Sequence, residues 1–143
     1  MFEATVNFEP VSLKRHRHRL KGGTYDPSKK EKDDFVKATG NLLPEEKMTN
    51  PIKCQLQFYC KRPKNHYKTG KKANELKDSA PKYNTNSKDL DNMVKFILDA
   101  LNDKLYKDDS QIIEINCSKL YSEGEGYIYL KFEEIKEEIN LFF

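Results

Sequence analysis

The sequence predicts an α+β fold, a small mixed β-sheet packed with helices. Residues 2–8 and 52–60 alternate apolar and polar side chains, the period of two of a half-buried strand. Over residues 90–102, Leu90, Val94, Ile97, Leu98 and Leu101 recur at helical spacing and make one apolar stripe. Residues 111–121 and 127–132 read as two closing strands joined through the turn-like residues 122–126.

In the first strand Phe2, Ala4, Val6 and Phe8 share a face. Residues 10–27 form a basic loop containing Gly22-Gly23. A charged helix is expected over residues 27–43, with Pro27-Ser28 at its start, Phe35, Val36, Leu42 and Leu43 as its apolar surface, and Gly40 and Pro44 limiting its end. In the second strand Ile52, Cys54, Leu56, Phe58 and Cys60 lie opposite Lys53, Gln55, Gln57 and Tyr59. Residues 61–87 lack an apolar period and are rich in Lys, Asn, Gly and Pro, which predicts a long loop. Beside the stripe of the second helix, Asp91, Lys95, Asp99 and Asn102 form a polar face, with Asp89 where an N-cap would sit. In the strand that follows, Ile113, Ile115 and Cys117 are expected to point inward. Neither a repeat nor a linker divides residues 1–143, which read as a single domain.

At 143 residues, 36% hydrophobic and 34% charged, the chain can build one modest core, which a second chain could extend. The net charge of +3 is mild, but its distribution is uneven. Positive charge gathers in residues 14–32 and 61–82, and acids in residues 89–109, as for a basic binding surface around an acidic centre. Cys54, Cys60 and Cys117 lack metal-knuckle spacing and read as reduced thiols of an intracellular protein. The start of the chain lacks a signal-peptide pattern, and no stretch is long enough to span a membrane. The expectation is a soluble protein in a DNA-containing compartment, cytoplasm, nucleoid or nucleus.

Chemistry is concentrated in residues 88–115. Asp89 and Asp91 open the second helix, and Asp108-Asp109 follow about one helix later. Acids held close repel one another unless a cation lies between them, and hard oxygen ligands suit magnesium or manganese. The pairs meet only if residues 103–107 reverse the chain towards the helix start. Lys95, one turn beyond Asp91, could pair with it or face a scissile phosphate. Taken singly, each acid has an ordinary role: Asp89 as N-cap, Asp91 as helix-dipole partner or ion-pair mate of Lys95, Asp108-Asp109 as a turn. Asp99 reads as structural.

Lys88-Asp89-Leu90-Asp91-Asn92-Met93-Val94-Lys95, then Asp99-Ala100-Leu101-Asn102, then Asp108-Asp109-Ser110-Gln111-Ile112 resembles the signature of RusA-type Holliday junction resolvases, ungapped across residues 88–112. The basic segment before Thr24-Tyr25-Asp26-Pro27, the run Arg62-Pro63-Lys64-Asn65-His66-Tyr67 and Lys119 resemble further parts of that family. One departure is Ser87-Lys88, where many members have Lys-Pro. The resemblance implies a RusA-like fold and a homodimeric, magnesium-dependent endonuclease, with manganese a possible substitute, that nicks four-way DNA junctions. By the same resemblance Asp89, Asp91 and Asp109 are the essential acids, Lys95 the essential lysine and Asp108 a further metal-side acid.

DNA contacts are expected from Lys14, Arg15, Arg17 and Arg19, from Arg62, Lys64, Lys68, Lys71 and Lys72 in the long loop, and from Lys88 and Lys119. Basic residues interleaved with Tyr59, His66 and Tyr67 suit phosphate contact and base stacking. His16 and His18, alternating with arginine, read as part of a phosphate-contacting segment rather than a metal site. Tyr127, Tyr129 and the closing Leu141-Phe142-Phe143 are candidates for the dimer contact. The alternatives are a nuclease for flaps or other branched DNA, and a non-catalytic DNA-binding module with the same fold.

Overall fold

The structure, a computed structural model, describes residues 1–14, 17–18 and 23–136. Arg15, His16, Arg19 and Gly22 lie outside the described residues, as do Leu141, Phe142 and Phe143, and the side chains of Arg17 and His18 are not described.

Strand β1, Phe2–Val6, buries Phe2, Ala4 and Val6 and pairs antiparallel with the last strand. It ends two residues before the alternation does. Phe8 instead packs across Phe35 and Phe96, at centroid distances of 5.4 and 6.1 Å, and joins the two helices. In the basic segment, β2 (Arg17–His18) and β3 (Thr24–Tyr25) form a small antiparallel ribbon where only a loop was expected. Helix α1, Lys29–Thr39, buries Phe35 and Thr39 and closes on Gly40, whose φ of 53° favours a residue without Cβ.

Strand β4, Ile52–Lys61, is central, and its alternating Ile52, Cys54, Leu56, Phe58 and Cys60 are all buried. Residues 62–89 then form a long loop with two short 3-10 turns, Lys64–His66 and Gly70–Lys72, and a bridge between Tyr67 and Leu76. Helix α2, Leu90–Leu101, buries Met93, Val94, Phe96, Ile97, Ala100 and Leu101. The stripe is wider than the five residues expected, because α2 packs against both the sheet and α1. Tyr106, fully buried, donates its hydroxyl to Leu98 O and so satisfies a carbonyl that the end of α2 leaves open.

Strand β5, Ile112–Ser122, lies at the sheet edge, and β6, Tyr127–Glu134, returns between β1 and β4. The strand order is β1-β6-β4-β5, with β4 and β5 parallel and the other two pairs antiparallel. A parallel pair needs a crossover, and α2 supplies it. The architecture is therefore the mixed sheet with helices that the sequence predicts.

The inward placement of Ile113 and Ile115 is overturned. Ile113 is 60% exposed and Ile115 44%. The β4–β5 register slips after Ile52↔Ile112, leaving Ile113 without a partner in a bulge, and an edge strand has no neighbour to cover Ile115. Cys117 is partly buried against the core, as expected. Tyr127 stacks on Tyr59 at 4.3 Å, and the Tyr129 hydroxyl donates to Glu3, so both interface candidates have partners within the chain. Among the described residues no helix is long and apolar enough to cross a membrane.

Candidate active site at the start of helix α2

Asp89 holds the N-cap position of α2 with extended backbone, φ −75° and ψ 131°, yet its side chain makes no capping bond. Asp91 lies in the first turn and Lys95 one turn further along. All three side chains are exposed. Lys95 forms no ion pair with Asp91, the commonest use of that spacing, although other lysine–carboxylate pairs form across the described residues. Leu13, Lys14 and Asn92 join them to line an open cleft of about 400 Å³. The backbone N–H of Leu13 donates to Asn92 O at 3.0 Å and closes the cleft's far wall. The ordinary roles of cap and helical ion pair are therefore not filled by these residues.

Asp108 and Asp109 do not return to this cleft. They precede β5 at the other end of α2, where Gln111 donates to the carbonyls of Met48 and Asn50 at 3.0 Å each. Burial and then the Asp109 carboxylate push the Tyr106 phenol up, which puts Asp109 beside the C-terminal end of α2. Helix α2 has 12 residues and so is about 18 Å long. Among the described residues no three His, Cys, Asp or Glu side chains come close enough to share a metal ion.

The two acids also differ. Asp108 caps the 3-10 turn Asp109–Gln111: its side chain accepts from the Gln111 backbone and from the Ser110 hydroxyl, while Gln111 Oε1 accepts from Asp108 N at 2.9 Å. Asp109 has no such role and is exposed. Asp89, Asp91 and Asp109 are thus unengaged carboxylates, hard oxygen donors that suit a divalent cation, but one chain presents only two of them at the cleft. Asp99 is structural: Lys32 of α1 reaches its carboxylate at 3.6 Å.

The expected DNA contacts divide into free and engaged groups. Lys64, Lys71 and Lys72 are exposed on the long loop, and none of the ion pairs there involves them. Lys68 meets Glu75 at 3.3 Å, and Lys14 meets Glu31 at 2.9 Å. The Arg62 guanidinium lies 4.4 Å from the centre of the Tyr121 ring and donates to Pro81 O at 2.7 Å, which anchors the loop on β5.

Lys88 and Lys119 turn inward. Lys88 donates to Pro10 O at 2.8 Å, and its ammonium is 3.9 Å from Glu9. Lys119 donates to Lys88 O at 2.7 Å and to Asn86. Burial pushes the Cys60 thiol up, opposed by hydrogen bonds from Asn84 and Asn86, so β4 also supports this segment. The sequence reading missed Asn84, Asn86 and Glu9, and quoted Gln111 only as part of the signature. A signal for the first two was present: Asn at positions 84 and 86, two residues apart before a helix start, is the spacing of successive Asx turns.

A family model described as endodeoxyribonuclease RusA matches residues 7–132 of the chain. Uncharacterized protein YqaN of Bacillus subtilis (strain 168) is 35% identical over 124 residues, covering 83% of this chain and 87% of that protein.

Proposed function

The chain belongs to the RusA endodeoxyribonuclease family, and from that premise we propose that it is a divalent-metal-dependent endonuclease that resolves four-way DNA junctions by paired nicks. The observation that carries this reading is the set of unengaged carboxylates, with Asp89 at a cap position where it does not cap. Asp89 and Asp91 would hold the cation, magnesium by preference and manganese as a substitute. When bound, such an ion neutralises charge at a phosphate and makes a water nucleophilic near neutral pH. Lys95, on the same face and free of ion pairs, sets a fixed positive charge where the phosphate develops negative charge. The exposed lysines Lys64, Lys71 and Lys72 hold the backbone of the arms, with Lys68 and Lys14 drawn from their surface ion pairs. Arg15, Arg17 and Arg19 would add further phosphate contacts, as their charge suits. The protein acts in whichever compartment holds its DNA.

The third carboxylate comes from a second copy. Among the described residues strand β5 has no second strand beside it, and Ile113 and Ile115 are exposed there, apolar surface at a sheet edge. A two-fold axis near these residues pairs two β5 edges antiparallel. The start of one strand, with Asp109 in the turn just before it, then lies beside the end of the other, where Lys119 meets the residue before Asp89. Such a dimer offers two complete sites to a junction that is itself two-fold.

The test is cleavage of a mobile four-way junction, matched duplex and flap DNA, with magnesium, manganese, calcium or a chelator. The expected result is paired nicks in the junction with magnesium or manganese, and binding without cutting in calcium. Asp91→Asn should bind the junction and fail to cut it. Preferential cutting of flaps would move the reading to another branched substrate, and binding without any cutting would reduce the protein to a DNA-binding module.

A further inference from the structure

We propose that Lys119 is a positioning residue: with Asn84 and Asn86 it clamps residues 84–88 to the sheet and so fixes the direction of the Asp89 carboxylate. The inference rests on the reading of Asp89 as a metal-holding acid. Lys119 lies on β5 in register with Phe58 of β4. Its ammonium donates to Lys88 O at 2.7 Å, Asn86 O at 3.2 Å and Asn86 Oδ1 at 3.3 Å. An ammonium has three N–H groups, and all three are in use.

Every acceptor belongs to the segment just before Asp89. That segment is also held from within. Asn84, 8% exposed, donates to Leu120 O at 2.9 Å, and its Oδ1 accepts from Asn86 N at 3.2 Å. Asn86 Oδ1 in turn accepts from Lys88 N at 3.1 Å. Two Asx turns therefore run in series, and Leu120 and Lys119, neighbours on β5, grip both ends of the series. Lys88 closes the far side through Pro10 O.

The consequence reaches Asp89 through one peptide. The carbonyl of Lys88 belongs to the peptide plane that leads into Asp89, and Lys119 fixes that oxygen. With its own side chain not capping the helix, Asp89 takes its direction from that plane. A phosphate could use Lys119 only by displacing hydrogen bonds that hold the site together.

Lys119→Met keeps the side-chain length and removes the donors. Turnover at saturating junction DNA should fall roughly tenfold to a hundredfold, the scale of a small misplacement of a reacting group. Junction Kd should stay within about threefold and its salt slope should not change, since no phosphate contact is lost. Hydrogen exchange at the backbone amides of residues 86–91, measured on the protein without metal or DNA, should accelerate. Lys119→Arg, which retains donors, should recover part of the turnover and of the protection.

Weaker binding with a salt slope reduced by about one, and unchanged turnover, would overturn the proposal and make Lys119 a phosphate contact. If Lys119→Met does not fold, Asn86→Ala removes the shared acceptor, and wild-type turnover and exchange in that variant would overturn it equally. Should the wild-type protein cut no branched DNA, the proposed function fails, while the exchange measurement still decides whether the clamp exists.

Discussion

Two inactive variants should restore each other when mixed. In one chain Asp89 and Asp91 stand at the start of α2 and Asp109 beside its other end, so roughly the length of the helix, about 18 Å for its 12 residues, lies between them. Magnesium–oxygen bonds are about 2.0–2.1 Å long, so no single chain can bring the three together around one ion. Take one variant with Asp89→Asn and Asp91→Asn, and a second with Asp109→Asn. Each homodimer lacks a complete site. In a heterodimer the losses fall unevenly: one site carries all the substitutions, and the other carries none. Free re-equilibration of a 1:1 mixture of two-fold dimers makes about half of them mixed, so about a quarter of wild-type sites are complete. The assay is nicking of a supercoiled cruciform plasmid. Each mixed dimer owns one intact site, so nicked circles should appear and linear product should lag. If each chain carried a whole site of its own, no mixed dimer would have an intact one. Silence from a mixture whose heterodimers are demonstrated by mass would refute the shared site, as would full activity of the Asp109→Asn homodimer.

Replacing Lys64, Lys68, Lys71 and Lys72 together should weaken junction binding and flatten its salt dependence by roughly 0.9 per lost phosphate contact, with Lys68 contributing least because Glu75 already holds it; an unchanged slope would show the loop to be merely solvated. Gly126→Ala should destabilise the fold by about 1 kcal/mol in thermal melting, since the new Cβ would displace the Glu9 carboxylate, 1.7 Å away, from its hydrogen bond with Lys61 N. Alkaline stability should fall between about pH 9 and 12, because burial, then the neighbouring Cys117, pushes the Cys54 thiol up to about 12. Above pH 9 the unfolded chain releases a proton that the folded chain keeps, so stability drops as pH rises, and Cys54→Ser should flatten that part of a pH–denaturation series.

The strands and the second helix were legible because their side chains repeat with the period of the backbone. The alternation from Ile52 to Cys60 could fit only one face of a strand, and the structure buries that face. The width of the α2 stripe was less legible, since Phe96 packs against Phe35 of α1, a contact no local pattern encodes. Ile113 and Ile115 misled because alternation reports which face a residue takes, not whether a neighbour covers that face. The acids were legible as residues and illegible as a cluster. Spacing along the chain placed Asp89 and Asp91 on one turn, but whether Asp109 joins them depends on where residues 103–107 send the chain. The inward turn of Lys119 was hidden because its acceptors, Asn86 and Lys88, are distant in sequence and belong to a segment without periodicity.

Asn84 also makes the long loop interchangeable. Its bond to Leu120 O returns the chain to the sheet before Asp89, and Arg62 grips Tyr121 where the loop departs. Between those two fixed points the residues can lengthen, shorten or change charge without moving the carboxylates. Doubling the free span costs only about 0.6 kcal/mol in closure entropy. On the proposed function, a changed loop would therefore alter the grip on DNA while leaving the carboxylates at the start of α2 in place.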